Sequence, residues 1–238
     1  MIDSTCTIIP WNEVDTVMVD MDGTLLDLAF DNFFWRELVP SRYALDRNLS
    51  EETARRELTG RYEELEGQLA WYCIDHWSDV LGIDIKALKW EHRDLVRYLP
   101  RATDFLAFVK QRDKRLLLVT NAHRDTLAVK TAQTKLDRKV DRIISSHDYR
   151  VPKETQAFWE RLLVDENFDP ERTLLVEDSL SVLQAARLFG VKFTVAIRRP
   201  DSGEPAREIS SFSSVDSIHD LTQESSLGSN VFSIVGFE

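Results

Sequence analysis

Asp20 and Asp22 stand two positions apart in the stretch Thr16 to Asp27, TVMVDMDGTLLD, directly after the apolar run Val17-Met18-Val19. Two carboxylates this close repel each other, and one takes up a proton unless a cation lies between them. A second pair, Glu177-Asp178, follows the apolar run Leu174-Leu175-Val176 and is itself followed by Ser179. Between the pairs lie two further groups. Thr120-Asn121-Ala122 follows Leu116-Leu117-Leu118-Val119 and offers a hydroxyl and successive backbone N–H groups to anionic oxygens. Lys153, in Val151-Pro152-Lys153-Glu154, offers a positive charge. Acids, hydroxyl, amine and acids together suit the handling of a phosphoryl group beside a hard divalent cation such as Mg²⁺, which takes one or two carboxylates from protein.

Each group has an ordinary explanation by itself. Asp22-Gly23 can be a tight turn, Thr120-Asn121 a turn or cap, Asp178 or Ser179 a helix N-cap, and Lys153 a surface charge. Their joint order is what calls for chemistry. Three of the four follow directly on short apolar runs that suit buried parallel strands. Parallel strands place their carboxyl ends on one rim, where ligands of open α/β sheets bind.

The elements that must position these groups alternate. Strands are expected at Asp15 to Asp20, Leu116 to Val119, Ile143-Ile144, Thr173 to Val176 and Phe193 to Ala196. Helices are expected at Thr103 to Arg112, Asp125 to Leu136, Glu154 to Glu166 and Ser179 to Phe189, the last stopped by Gly190. This alternation implies a Rossmann-like α/β core built on a parallel five-stranded sheet. Ser213 to Thr222 is read as a last helix, and the Ser-rich tail from Glu224 to Asn230 as loosely ordered. Residues 28–99 differ in character: charged and apolar residues interleave at helical spacing over Asp31 to Val39, Ser50 to Glu66 and Leu69 to Leu81. Ser50 reads as an N-cap, Gly82 as a C-terminal stop, and Pro40 and Pro100 as the ends of helices. The domain reading is a core of 1–27 and 100–238 with an all-helical insertion at 28–99. Trp11 is expected at the edge of the core.

The chain has 238 residues, 43% of them apolar, and a net charge of −11. It has no Lys or Arg run suited to a polyanion, so nucleic acid and anionic membrane surfaces are excluded as expected partners. No stretch has the apolar length of a membrane span, and the N-terminus lacks a basic, apolar leader, so a cytoplasmic protein is expected. Cys6 and Cys73, far apart, show no metal-ligand spacing, and neither do His76, His92, His147 and His219.

The run DMDGTLLD, with Thr120, Lys153 and Glu177-Asp178 in that order, resembles the four motifs of the haloacid dehalogenase-like phosphatase superfamily, and the insertion resembles its C1-type helical cap. DMDGTLLDLAFDN, WYCIDHW, TNAH with LAVK, and PDSG are similar to the purine-nucleotide 5′-nucleotidases of that superfamily. The resemblance implies catalytic roles for Asp20 (nucleophile), Asp22 (general acid and base), Thr120 and Lys153. It implies substrate binding by Thr120, Asn121, Ala122 and Lys153, and Mg²⁺ held by Asp20, Asp22 through its carbonyl, Glu177 and Asp178. The substrate would be a small phosphomonoester, GMP or IMP, and the protein a monomer or weak homodimer. In the insertion, Phe33, Phe34, Trp35, Trp71, Tyr72 and Trp77 are candidates for stacking on a purine, although their helical spacing equally suits packing. Arg36, Arg42 and His123 are candidates for contacting a phosphate or a purine oxygen.

Other readings stay open at this level. The same fold could act on a sugar phosphate or phosphoglycolate, or be a β-phosphoglucomutase-like mutase. A dehalogenase would have no use for an acid at Asp22, and an inactive binding protein would not keep every group.

Overall fold

A computed structural model of the protein describes residues 9–223. Its centre is a six-stranded, wholly parallel sheet. The strands are β1 (Thr16–Val19), β2 (Arg115–Thr120), β3 (Arg142–Ser145), β4 (Thr173–Glu177), β5 (Phe193–Ile197) and β6 (Ser213–Val215), in the order β3-β2-β1-β4-β5-β6. The sixth strand is a departure from the expected five. Ser213 to Thr222 is not one helix: its first three residues pair with β5, and only Ile218–Thr222 coils, as a 3₁₀ segment. Helical spacing of Val215, Ile218 and Leu221 misled because β-branched Val215 fits the open edge of the sheet equally well. The Ser-rich tail falls outside the described residues.

The inner strands are apolar throughout because both faces are covered. Their alternation sorts side chains between two cores. Val17, Val19, Leu116, Leu118, Leu174 and Val176 face one side, and Met18, Leu117, Val119 and Leu175 the other. Against the second side pack Phe158, Trp159 and Leu162 of one helix (Gln156–Glu166) and Val182, Leu183 and Ala186 of another (Leu180–Phe189). The first side takes Phe105, Leu106 and Val109 from Ala102–Gln111 and Leu127 from Arg124–Thr134. The apolar residues of the helical insertion continue that same cluster. Trimming a fully buried Leu such as Leu117 to Ala would cost about 2–5 kcal/mol.

In chain order the helices are α1 (Ala29–Phe33), α2 (Val39–Arg47), α3 (Glu51–Leu65), α4 (Ile74–Leu81), α5 (Ile85–Glu91), α6 (Ala102–Gln111), α7 (Arg124–Thr134), α8 (Ser146–Tyr149), α9 (Gln156–Glu166) and α10 (Leu180–Phe189). Ser50 caps α3 by accepting from the Thr53 N–H at 3.2 Å, and Gly82 closes α4 in the left-handed region. Pro40 does not end a helix. Residues 29–47 coil without a break because a wide π turn, Phe34–Leu38, joins α1 to α2. A proline lacks the N–H that would bond the carbonyl four residues back. That carbonyl, of Arg36, accepts from Arg55 Nη1 of α3 at 3.0 Å instead. Leu69 to Leu81 is likewise not one helix: a 3₁₀ turn, Leu69–Tyr72, breaks at extended Cys73 before α4 begins. Trp11 packs edge-on against Phe108 of α6, with ring centroids 5.1 Å apart.

The chain leaves and re-enters the sheet body side by side. The Asp27 N–H donates to the Arg97 carbonyl at 3.0 Å and the Leu99 N–H to the Leu25 carbonyl at 2.9 Å. Asp27 ties both passages to a third loop, accepting from the Ser202 hydroxyl (2.6 Å), the Ser202 N–H (3.0 Å) and Arg97 Nε (3.2 Å).

Candidate active site

Strand order reverses between β1 and β4, and the crevice at such a point is where open α/β sheets bind ligands. In register, Val19 pairs with Val176, so the next residues, Asp20 and Glu177, emerge together at the carboxyl rim. The Asp20 N–H still donates to the Val176 carbonyl at 3.0 Å. Asp20, Asp22, Thr120, Asn121, Ala122, Lys153, Glu177 and Asp178 all line a single cavity of about 800 Å³ between this rim and the helical insertion. The structure therefore brings together every core residue singled out by sequence.

Lys153 lies at the centre. Its side chain is only 2% exposed, and Nζ donates to Asp20 Oδ1 (2.5 Å), Glu177 Oε2 (2.7 Å) and the Val119 carbonyl (2.9 Å). Its backbone is held too: its N–H donates to Asn121 Oδ1 at 2.9 Å and its carbonyl accepts from Trp159 Nε1 at 2.8 Å. Burial alone would depress the ammonium pKa, but the charges of Asp20 and Glu177 hold it above the ordinary value. A lysine that is surface-like in sequence is thus a fixed buried cation.

Burial pushes Asp20 up to about 7, and the charge of Glu177 adds to it. Burial likewise takes Glu177 to about 7 and, with the charge of Asp20, Asp178 to about 7. Carboxylate oxygens of Asp20, Glu177 and Asp178 lie within 4.8 Å of one another. One ammonium does not neutralise three acids, and an all-oxygen donor set of this charge fits a hard divalent cation such as Mg²⁺. Glu177 also shapes the turn into α10: Oε1 accepts from the N–H groups of Asp178 (3.2 Å) and Ser179 (3.1 Å). Neither Asp178 nor Ser179 makes the side-chain cap that their positions suggested, and Asp178 is left facing the cluster. Gly23 makes room for it. With φ at +80°, a Cβ on Gly23 would lie 2.8 Å from Asp178 Cγ and 2.9 Å from Pro200 Cβ.

Asp22 has a different setting. Burial pushes it up to about 6, against the pull of Lys130. Lys130 of α7, 1% exposed, donates to Asp22 Oδ1 at 2.6 Å and to Asp31 Oδ2 at 2.5 Å. Asp31, from α1 of the insertion, also accepts from Lys89 of α5 at 3.1 Å. Burial works against the Asp31 charge, but Lys130 and Lys89 hold its pKa down at about 2. Lys89 Nζ sits 4.2 Å from the centroid of the Phe34 ring. This chain of buried charges was not read as a site from sequence. Lys130 and Asp31 lie within the stretches LAVK and DMDGTLLDLAFDN that carried the resemblance, and Lys130 and Lys89 interrupt otherwise apolar helix faces.

Thr120 is buried, and its Oγ1 accepts from the Ala122 N–H at 3.1 Å, which shapes the turn after β2. Asn121 Nδ2 donates to Glu154 at 3.0 Å, and Tyr72 of the insertion donates to the other oxygen of Glu154 at 2.7 Å. Glu154 therefore links the rim to the helices above it.

The aromatic candidates divide. Trp35, Trp71, Tyr72 and Trp77 line the cavity, joined by Tyr62, which the sequence did not single out. Trp77 also packs edge-on against Tyr62, with centroids 5.0 Å apart, and is 1% exposed. Phe34 is fully buried beside Phe30, and Phe33 turns outward at 42% exposure. Arg36 lines the cavity. Arg42 does not: it pairs with Asp46 one turn along α2, on the surface. His123 is not among the lining residues either. It caps α7, accepting from the Asp125 N–H at 3.3 Å, and faces Asp75 and His147. No helix among the described residues is long and apolar enough to cross a membrane.

Comparison with known proteins agrees with this arrangement. Residues 14–190 match the family model of the haloacid dehalogenase-like hydrolases. The chain is 40% identical over 195 residues to the GMP/IMP nucleotidase YrfG of Escherichia coli K12, covering 82% of this chain and 88% of that one. Among solved structures, an HAD phosphatase from Thermococcus onnurineus superposes with a TM-score of 0.73 at 18% identity, covering 87% of this chain and 96% of that one. A putative β-phosphoglucomutase from Thermotoga maritima gives 0.61 at 19% identity, covering 88% and 97%. The last two likenesses concern the fold alone. With the family model spanning most of the chain and a relative this similar along most of its length, the chain belongs to the haloacid dehalogenase-like hydrolase family and is a phosphoric monoester hydrolase.

Proposed function

We propose that the protein is a Mg²⁺-dependent 5′-nucleotidase for the purine mononucleotides GMP and IMP, working through an aspartyl-phosphate on Asp20. The observation that carries this reading is the cavity itself. Asp20, Asp22, Lys153, Glu177 and Asp178 lie at its floor, and Trp35, Tyr62, Trp71 and Tyr72 lie along its walls. The similarity to a GMP/IMP nucleotidase supports the same substrate class.

In this reading, a carboxylate oxygen of Asp20 attacks phosphorus and the bond from phosphorus to the ribose oxygen breaks. A nucleoside alkoxide is a poor leaving group, so a proton must reach it as it departs. Asp22, pushed up to about 6, keeps a neutral fraction near neutral pH and donates that proton. A water molecule then attacks the phosphorus of the aspartyl-phosphate, Asp22 takes its proton, and Asp20 is released with inorganic phosphate. The net change is one water consumed per phosphomonoester. Lys153 stabilises both the Asp20 charge and the phosphoryl oxygens, while the Thr120 hydroxyl and the Asn121 amide hold those oxygens. Asp20, the Asp22 carbonyl, Asp178 and Glu177 are the groups that would hold Mg²⁺. When bound, that ion screens the approach of one anion to another and stabilises charge on the transferring group.

Residues 28–99 act in this reading as a cap over a core of 1–27 and 100–238, and an aromatic wall offers a purine a stacking face. Arg36 at the cavity wall is the cap's cationic contact for the nucleotide. The test is release of inorganic phosphate from a panel of monophosphates in the presence of Mg²⁺. The reading requires kcat/KM for GMP and IMP to exceed that for sugar phosphates and phosphoglycolate at least tenfold. Equal rates across the panel would leave a general phosphatase, and conversion of a sugar phosphate to its isomer without phosphate release would leave a mutase.

A further inference from the structure

A second cluster of donors lies at the junction of insertion and sheet body, outside the carboxylate site. Cys73 sits at the break between the 3₁₀ turn Leu69–Tyr72 and α4. His123 caps α7 immediately after Thr120-Asn121-Ala122, and His147 lies in α8. One ligand atom from each of Cys73, His123 and His147 lies within 4.8 Å of the other two. The two imidazoles meet edge to face, with centroids 4.9 Å apart. Cys73 is a free thiol, partly buried.

His147 carries a signal of its own. Its Nε2 is buried and has no hydrogen-bond partner. Buried polar atoms are nearly always paired, and an orphan calls for an explanation. A buried ring nitrogen left bare beside a thiol and a second imidazole is placed as a metal-bound histidine would be.

We propose that Cys73, His123 and His147 form a second metal site, for a borderline transition-metal ion of the Zn²⁺ type, that staples the helical insertion to the sheet body. The donor set distinguishes it from the first site. A thiolate with two imidazoles selects Zn²⁺ and its neighbours, whereas three carboxylates select Mg²⁺. Zinc bonds of about 2.0–2.1 Å to nitrogen and about 2.3 Å to sulfur set tetrahedral donors roughly 3.5 Å apart. With the donors within 4.8 Å of one another, no pair must close by more than about 1.3 Å to reach that spacing. His123 Nε2 lies 3.6 Å from Asp75 Oδ2 and its Nδ1 accepts from the Asp125 N–H at 3.3 Å, so ligation through either nitrogen replaces one of these contacts. Binding displaces the Cys73 thiol proton to solvent.

The location gives the site a consequence. Cys73 follows Tyr72, whose hydroxyl already reaches Glu154 and through it Asn121. An ion held there fixes the cavity wall bearing Trp71 and Tyr72 to the loop after β2. Where an enzyme must open to release product, such a tie slows turnover without competing with substrate.

The test uses the full chain, stripped with chelator and returned to buffer containing excess Mg²⁺ to fill the carboxylate site. Co²⁺ serves as the probe, because thiolate ligation gives a near-ultraviolet charge-transfer band that an oxygen site cannot give. One equivalent of Co²⁺ should develop that band with four-coordinate visible bands, and one equivalent of Zn²⁺ should abolish both. Cys73→Ser should lose the charge-transfer band, and His147→Asn should weaken Co²⁺ binding at least tenfold. Zn²⁺ at the same stoichiometry should lower the rate of phosphate release in the unaltered protein, and Cys73→Ser should be insensitive. The proposal is overturned if no thiolate band forms, or if the band persists in Cys73→Ser, which would place it on Cys6. Full Co²⁺ affinity in His147→Asn would overturn it as well. The spectroscopic arm needs no substrate, so it stands or falls separately from the nucleotidase reading.

Discussion

Lys130 Nζ lies 2.6 Å from Asp22 Oδ1, although 108 positions separate them, and the same nitrogen holds Asp31 of the insertion at 2.5 Å. A single buried ammonium thus joins the residue read as general acid to the helix that leaves the sheet body. Its position fixes where the Asp22 carboxyl points and couples it to the seating of α1.

Replacing Lys130 by Met leaves Asp22 and Asp31 without their shared cation. We expect kcat to fall at least tenfold with a smaller change in KM, because Asp22 loses its orientation while the cavity walls stay. Removing one partner from a buried ion pair also costs about 3–5 kcal/mol, so a lower melting temperature accompanies it. Steady-state kinetics with thermal unfolding checks both, and a fall in stability alone would assign Lys130 a purely structural role.

On the proposed mechanism Asp20→Asn removes the nucleophile and should leave no turnover above background, with no aspartyl-phosphate trapped on acid quench. Asp22→Asn removes a proton donor, which contributes about 10²–10⁴-fold in typical enzymes. Its loss should therefore be smaller for substrates with better leaving groups, such as an aryl phosphate. Comparing the two variants on aryl and ribosyl phosphates measures the difference.

The stability of the ion-free protein should fall as pH rises from about 4 to about 7. Burial, with mutual repulsion, raises Asp20, Glu177 and Asp178 to about 7 in the folded chain. Their unfolded values lie near 4. Between these limits the folded state binds more protons than the unfolded one, so unfolding is favoured as pH increases. A bound divalent cation removes that penalty. The rise in melting temperature on adding Mg²⁺ should therefore be larger at pH 8 than at pH 5. An equal rise at both would place the added ion elsewhere.

Gly23→Ala should act on metal affinity. The new Cβ would fall 2.8 Å from Asp178 in a backbone conformation unfavourable for alanine. Asp178 must move, and the Mg²⁺ concentration giving half-maximal activity should rise at least tenfold while the fold is retained by circular dichroism.

Tyr72→Phe breaks the 2.7 Å bond to Glu154 without changing the size of the side chain. A hydrogen bond is worth about 0.5–1.5 kcal/mol net, so KM for a nucleotide should rise roughly two- to tenfold with kcat little changed. Measuring both constants separates a role in holding the insertion from a role in the chemical step.

What the residues determined by themselves was the floor of the site. Short apolar runs at Val17–Val19, Leu116–Val119 and Leu174–Val176, alternating with helical stretches, suit inner strands of a covered sheet, and parallel strands deliver whatever follows them to one rim. Asp20, Thr120 and Glu177 could be placed by that logic without coordinates. Edges were less legible: Ser213–Val215 is too short and too polar to announce a strand, and Pro40 reads as a helix end when a π turn and Arg55 accommodate it. Tertiary structure alone decided the walls and the couplings. Lys130, Asp31 and Lys89 meet only because α7 packs beneath the insertion, and Tyr72, Glu154 and Asn121 only because the insertion closes over the rim. Cys73, His123 and His147 carry no local spacing, being 50 and 24 residues apart, yet they converge. Local sequence governs backbone periodicity and turns. Which side chains face one another across a packed interface depends on helix rotation and loop path, which emerge only from burial of the whole apolar surface at once.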